Sequence, residues 1–149
     1  LMQRAVLPTL IDALKATSPD AAIEIETNGS ILPPDALAES VDLFVVSPKL
    51  AHSGNDVSLA LKPDALATYA ALPSAVFKFV AREVEDVATA SVIARDFGIK
   101  PARIYIMPEG TEAGALSQRA RTLTVAILAH GFNFTPRLHI ELFGAARGV

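Results

Sequence analysis

The sequence predicts an α/β fold with a mainly parallel sheet, doubly wound or barrel-like, and three observations predict it. Short stretches rich in Val, Ile and Phe recur along the chain and alternate with amphipathic or Ala-rich stretches. The connections between them are long enough to hold a helix, which parallel crossover pairing requires. Several strands also carry charges at alternate positions, where a sheet covered on both faces would read as continuous apolar runs.

The first element is a helix running to about Ala16, from the amphipathic series Leu1, Val6, Leu7, Leu10, Ile11 and Leu14. It begins without a cap residue or preceding loop, as though mid-domain. The SPD turn at 18–20 leads into AAIEIE, 21–26, an alternating strand that ends in TNGS. Pro33 and Pro34 open a short helical turn before a second strand, VDLFVVS, 41–47. LKPDALATYAALPS, 61–74, is a helix flanked by prolines, and AVFKFVA, 75–81, is the third strand. A helix from about Val84 to Phe97 is stopped by Gly98, and ARIYIMP, 102–108, is the fourth strand. Thr111, with Glu112 behind it, starts a long helix to about His130, ended by Gly131. TPRLHIELFGAARGV, 135–149, makes a fifth strand, with Arg137, His139 and Glu141 on one face and Leu138, Ile140 and Leu142 on the other.

The bulk properties bound the partners. At 149 residues, 51% hydrophobic and 19% charged, the chain has the composition of one globular domain, 1–149, able to bury a core. A net charge of −3 with no Lys/Arg run argues against direct nucleic-acid binding. No apolar run approaches a membrane span and no signal-peptide pattern opens the chain, so a cytoplasmic protein without membrane contact is expected. The absence of cysteine excludes disulfides and thiolate-held metals or clusters within these residues.

The alternating charges Glu24 and Glu26, Lys78, and Arg137, His139 and Glu141 are explained by a partial barrel whose inner wall is polar and whose outer wall packs under helices. Each charge taken singly fits mutual satisfaction or a solvated edge better than a site; three strands behaving alike point to a site. Lys78, between two phenylalanines, needs an anionic partner: either Glu24 or Glu26 on a neighbouring strand, or a ligand.

Ligands of parallel α/β folds gather at the carboxyl ends of strands. Here those ends read ETNGS (26–30), VSPKL (46–50), KFVAREVED (78–86), MPEGT (107–111) and RLHIELFGAARGV (137–149). Asn28 and Gly29 also suit an ordinary turn, and Lys49 a solvated loop. Pro108, Gly110 and Thr111 suit a capped turn, and a lone His139 suits a satisfied core. His52 and His130 read as loop and helix-end residues, and three scattered histidines give no metal site.

In their order, ETNG, SPK, KFV, YIMPEG, TPRLHI and a terminal G-x-x-RG resemble the C-terminal part of the 7-carboxy-7-deazaguanine synthases, radical S-adenosylmethionine enzymes of the queuosine and deazapurine pathway. The resemblance covers essentially the whole chain, and the initial LMQ is similar to the residues directly after the family's Gly-Gly-Glu-Pro motif. It implies part of an abbreviated radical-SAM β/α barrel. The family's N-terminal C-x3-C-x2-C motif, which holds a 4Fe–4S cluster, has no counterpart among these residues. The expectation is a fragment whose N-terminal cluster-binding part is absent, inactive alone.

The resemblance further implies that the complete protein uses S-adenosyl-L-methionine, the cluster and Mg2+ to convert 6-carboxy-5,6,7,8-tetrahydropterin to 7-carboxy-7-deazaguanine with loss of ammonia. It would work as a homodimer, with an electron donor such as a flavodoxin or ferredoxin. Asn28, Ser47, Pro48, Lys49, Met107, Pro108, Glu109 and Gly110 are the implied cofactor contacts. Arg137, His139 and the carboxylate of Val149 are the implied substrate contacts, a guanidinium for the carboxylate and an imidazole for the pterin. Mg2+ ligands are expected outside these residues, and no acid or base is assigned. The alternatives are another small radical S-adenosylmethionine enzyme, or a cluster-free subunit that binds a small carboxylated ligand.

Overall fold

The computed structural model describes residues 3–54 and 61–146. The chain carries five parallel strands in one sheet of order β1-β2-β3-β4-β5, so every strand pairs with its predecessor. By contacts it divides into two compact units, Leu1–Phe77 and Lys78–Val149, and the boundary falls inside β3.

The first unit contains α1 (Leu7–Thr17), β1 (Glu24–Thr27), α2 (Asp35–Ser40), β2 (Leu43–Val46), a 3-10 turn at Ala51–Ser53, α3 (Pro63–Ala71) and the first residues of β3 (Ala75–Ala81). Proline stands in the first turns of α1 and α3, where a missing N–H costs nothing. The register runs Glu24 to Leu43, Thr27 to Val46 and Val46 to Phe77. Phe44, Val46, Leu37, Leu66, Tyr69 and Phe77 are buried together as the core of this unit. The rings of Phe44 and Tyr69 meet edge-on, 5.5 Å between centroids. Burial pushes the Tyr69 phenol above its ordinary range. Its hydroxyl donates to the Ile31 carbonyl at 3.1 Å, tying α3 to the loop after β1. Asp42 accepts from the Ile23 N–H at 2.8 Å and pairs with Lys15 at 3.4 Å, and these hold its carboxyl below the ordinary range. The amphipathic face expected of α1 buries Ile11 but leaves Val6, Leu10 and Leu14 exposed.

The second unit contains the rest of β3, α4 (Val84–Asp96), a 3-10 turn at Pro101–Arg103, β4 (Ile104–Pro108), α5 (Ala113–Ala129), β5 (Asn133–Phe134) and α6 (Leu138–Phe143). Phe79, Ala81, Val87, Ala90, Ile104, Ile106, Leu116 and Leu123 are its buried interior. Glu83 and Asp86 form a capping box at the start of α4, in which Asp86 accepts from the Glu83 N–H at 3.3 Å, and Asp86 also accepts from the Arg82 N–H at 2.7 Å. The cap of α5 is Glu112 and not Thr111: its carboxylate accepts from the Gly114 and Ala115 N–H groups, both at 2.8 Å.

The end of the chain departs from expectation. Residues 137–142 are not a strand; β5 is only Asn133–Phe134, and Leu138–Phe143 is a helix. Pro136 removes a ladder donor just after β5, and the Thr135 N–H to Ile106 carbonyl bond, 3.0 Å, is succeeded by no further pairing. The Arg137 carbonyl accepts from Ile140 and Glu141, and Gly144, at φ +64, ends the turn. Arg137, His139 and Glu141 therefore do not form one face of a strand. Successive helical positions turn by about 100°, which separates His139 from the other two.

Elsewhere the predicted alternation holds. On β3, Ala75, Phe77, Phe79 and Ala81 are fully buried, and Val76, Lys78 and Val80 between them are half-buried. Glu24 and Glu26 lie on the open face of β1, in register with half-buried Leu43 and Val45. They are not on a strand neighbouring Lys78, because β2 separates β1 from β3.

Candidate functional site

In the first unit the ends of β1 and β2 carry ETNGS and SPK side by side. The Ser47 N–H donates to the Thr27 carbonyl at 2.7 Å, extending the pairing one residue beyond the strands. The turn after β1 is locally self-satisfied. The Thr27 hydroxyl accepts from the Gly29 N–H at 3.2 Å, and the Asn28 carbonyl oxygen accepts from the Ser30 N–H and hydroxyl at 3.1 and 2.8 Å. Gly29 has φ +75, and a Cβ there would stand 2.7 Å from Val46 Cγ1. This geometry fixes Asn28 with its carbonyl turned into the loop and its amide N–H2 without a partner among the described residues. The Ser47 hydroxyl and the Lys49 ammonium, both half-buried residues, likewise have none, and Pro48 between them is buried. Beyond them the Ser53 hydroxyl ties back to the Leu50 carbonyl at 2.6 Å. An amide, a hydroxyl and an ammonium are thus held at two adjoining strand ends, ready for a ligand that brings carboxylate and hydroxyl groups.

In the second unit MPEG leaves β4 under several ties. The Glu109 N–H donates to the Ala81 carbonyl at 2.9 Å. Arg119, on α5, donates from Nε to the Arg82 carbonyl at 3.1 Å and from Nη1 to the Glu109 carbonyl, and it pairs with the Glu109 carboxylate at 3.0 Å. Arg137 donates to the Gly110 carbonyl at 2.6 Å. Gly110 has φ +147, and a Cβ there would crowd Leu116 and Arg119 at 3.1 and 3.3 Å. Met107 is half-buried and Pro108 buried. The loop is fixed by two arginines, and Glu109 spends its side chain on one of them. Arg119 carries no motif: its place on a polar helix face gave no sequence signal, and only the fold brings it to Glu109 and Arg82.

Two of the expected substrate residues lie at the start of α6. Arg137 precedes α6 with its guanidinium on the Gly110 carbonyl, His139 is exposed on α6, and Val149 lies outside the described residues. His130 caps the end of α5 and stacks on Phe132, with ring centroids 5.3 Å apart, and His52 sits in the 3-10 turn; both match their reading as loop and helix-end residues. Among the described residues no group of three or more His, Asp or Glu side chains is placed to hold a metal ion. Nor is any helix among them long and apolar enough to cross a membrane.

Over 148 residues, 99% of its length, the chain is 35% identical to a 7-carboxy-7-deazaguanine synthase of Pyrobaculum aerophilum. The chain is homologous to the 7-carboxy-7-deazaguanine synthases. A second such synthase, from Halobacterium salinarum, is 34% identical in an alignment 143 positions long that covers 82% of this chain. The resemblance carried by the strand-end motifs is thereby borne out. The chain spans 63% of the length of the first synthase and 54% of the second, so both relatives are substantially longer. No family model matches the chain.

The Glu112 cap at the end of the MPEGT loop sets a pH dependence. The Gly114 and Ala115 N–H groups hold its carboxyl below the ordinary 4.5. Because the folded value is the lower one, its stabilisation is complete above 4.5 and is lost as pH falls through the folded value. Urea midpoints of the chain and of Glu112→Gln should differ most above that pH and converge in acid. A gap that persists unchanged in acid would contradict this role.

Proposed function

We propose that the chain forms part of a 7-carboxy-7-deazaguanine synthase, which converts 6-carboxy-5,6,7,8-tetrahydropterin to 7-carboxy-7-deazaguanine with release of ammonia by radical S-adenosylmethionine chemistry. The observation that carries this reading is the homology over 99% of the chain. The positions of ETNG, SPK and MPEG at the carboxyl ends of β1, β2 and β4 support it.

The residues present fit S-adenosylmethionine in the chemistry of their donors. Lys49 would pair with its carboxylate, Asn28 and Ser47 would bond its polar atoms, and Pro48 would stiffen the loop that presents them. Met107, Pro108, Glu109 and Gly110 would contact it through a backbone held by Arg119 and Arg137. A 4Fe–4S cluster does not fit these residues, since the chain has no thiolate to hold one. Its ligands, and those of Mg2+, would be supplied from the additional length that the relatives possess. When bound, the cluster and S-adenosylmethionine supply the radical; these residues bind and orient. The substrate contacts in this proposal remain Arg137, His139 and the terminal carboxylate of Val149, with an electron donor such as a flavodoxin or ferredoxin and a homodimeric, cytoplasmic enzyme.

The test is an anaerobic product assay with S-adenosylmethionine, a chemical reductant, Mg2+ and the carboxytetrahydropterin. The 149 residues alone should give no 7-carboxy-7-deazaguanine, while a continuous chain that adds a C-x3-C-x2-C segment should give it. In that longer chain Lys49→Ala should lower kcat/KM at least about tenfold, the loss of one charge-assisted contact. The cluster-free alternative is favoured only by the absence of cysteine. It would prevail if the longer chain made no product and the 149 residues bound a carboxylated ligand without S-adenosylmethionine.

A further inference from the structure

We propose that a groove beside α5 in the second unit is a binding site for a phosphate-bearing small molecule, held by Arg82 and Arg119. The groove is an open depression of about 310 Å3 lined by Arg82, Ala115, Gln118, Arg119 and Thr122. The four α5 residues fall at i, i+3, i+4 and i+7, one stripe of the helix, and the methyl group of Ala115 leaves room at its start. Arg82 comes from the end of β3 and faces this stripe across the groove.

Some of the donors there are uncommitted. Arg82 spends its backbone on Asp86 and Arg119, but its guanidinium has no partner among the described residues. Arg119 is fixed through Nε and Nη1, which leaves Nη2 without a described partner on a side chain that cannot swing away. The Gln118 amide is likewise uncommitted, and the Thr122 hydroxyl donates to the Gln118 carbonyl at 3.3 Å, keeping lone pairs for a ligand hydroxyl. Among the described residues no carboxylate lines the groove, although the chain as a whole carries −3. Glu109 offsets Arg119 from the MPEG side and leaves the Arg82 charge uncompensated. Two guanidiniums and an amide around one concavity match the oxygens of a phosphate, and a groove of this volume has room for the alcohol portion of a phosphate ester. A groove of similar volume in the first unit, lined by Arg4, Ser30, Lys62 and Asp64 among others, contains a carboxylate among its cations and is less suited to an anion.

The site is tested by NMR titration of the isotopically labelled 149-residue chain with sodium phosphate and, separately, ribose 5-phosphate, at constant ionic strength. Saturable shifts confined to the amides around Arg82, Gln118, Arg119 and Thr122 are expected. Arg82→Ala should weaken binding at least about tenfold and Arg82→Lys less, because an ammonium keeps the charge but loses the fork. The folded spectrum should survive both changes, since the bonds of Arg82 to its neighbours are made by its backbone. Tighter binding of ribose 5-phosphate than of phosphate would support an ester as the ligand; equal binding would support the free anion. Shifts that never saturate, or that Arg82→Ala leaves unchanged, would overturn the proposal.

Discussion

Phe77→Ala should destabilise the chain by about 3–5 kcal/mol, the range for truncating a buried phenylalanine. Phe77 is fully buried in β3, in register with fully buried Val46, on the face where Phe44 and Tyr69 pack. Removing the ring leaves a void that strands hydrogen-bonded on both sides cannot collapse into. A domain of this size has about 5–15 kcal/mol in total, so this one change consumes a large part of it. The internal control is its neighbour. Val76 lies on the half-buried face, and Val76→Ala should cost only about 1 kcal/mol. Urea unfolding of both variants reads the difference; equal losses would mean that the two faces of β3 are buried alike and would contradict the architecture.

Gly29→Ala should cost about 2–5 kcal/mol through two separable terms. A φ of +75 strains any side chain by about 1–2 kcal/mol. The added methyl would also lie 2.7 Å from Val46 Cγ1, an overlap that costs about 1–3 kcal/mol to relieve. Gly54 separates the terms, because it has the same φ and no described residue within 4 Å of an added Cβ. Gly54→Ala should therefore show the strain alone, and the difference between the two midpoints measures the packing. If Gly29→Ala were no worse than Gly54→Ala, the close approach of this turn to β2 would be wrong. The same substitution pushes the Asn28 turn away from Ser47, so under the function proposed above it should weaken S-adenosylmethionine binding in a longer, active chain as well as stability.

How much could be read beforehand depended on how far pattern and tertiary contact agreed. AVFKFVA is alternating, β-branched and aromatic, and its strand has the expected bounds of 75–81. Gly98 and Gly131 stand just past the ends of α4 and α5 as expected of helix stops. RLHIEL misled because six residues of alternating polarity are compatible with either period. Pro136 before them and Gly144 after them were the helix punctuation, and they outweigh an alternation in which only Ile140 is buried. Of the candidate site, the strand-end tripeptides were legible because glycine, proline and asparagine advertise turns. Arg119 and Arg82 were not: they are 37 residues apart, their neighbours are ordinary helix and loop residues, and only the folded course of β3, β4 and α5 makes them a pair.

The strand order β1-β2-β3-β4-β5 bears on how the chain is made. Each strand lies beside the one synthesised before it, so an emerging chain can add strands one at a time as they leave the ribosome. No strand of the sheet has to wait for a partner encoded far downstream, which shortens the time an unpaired edge is available to a neighbouring nascent chain.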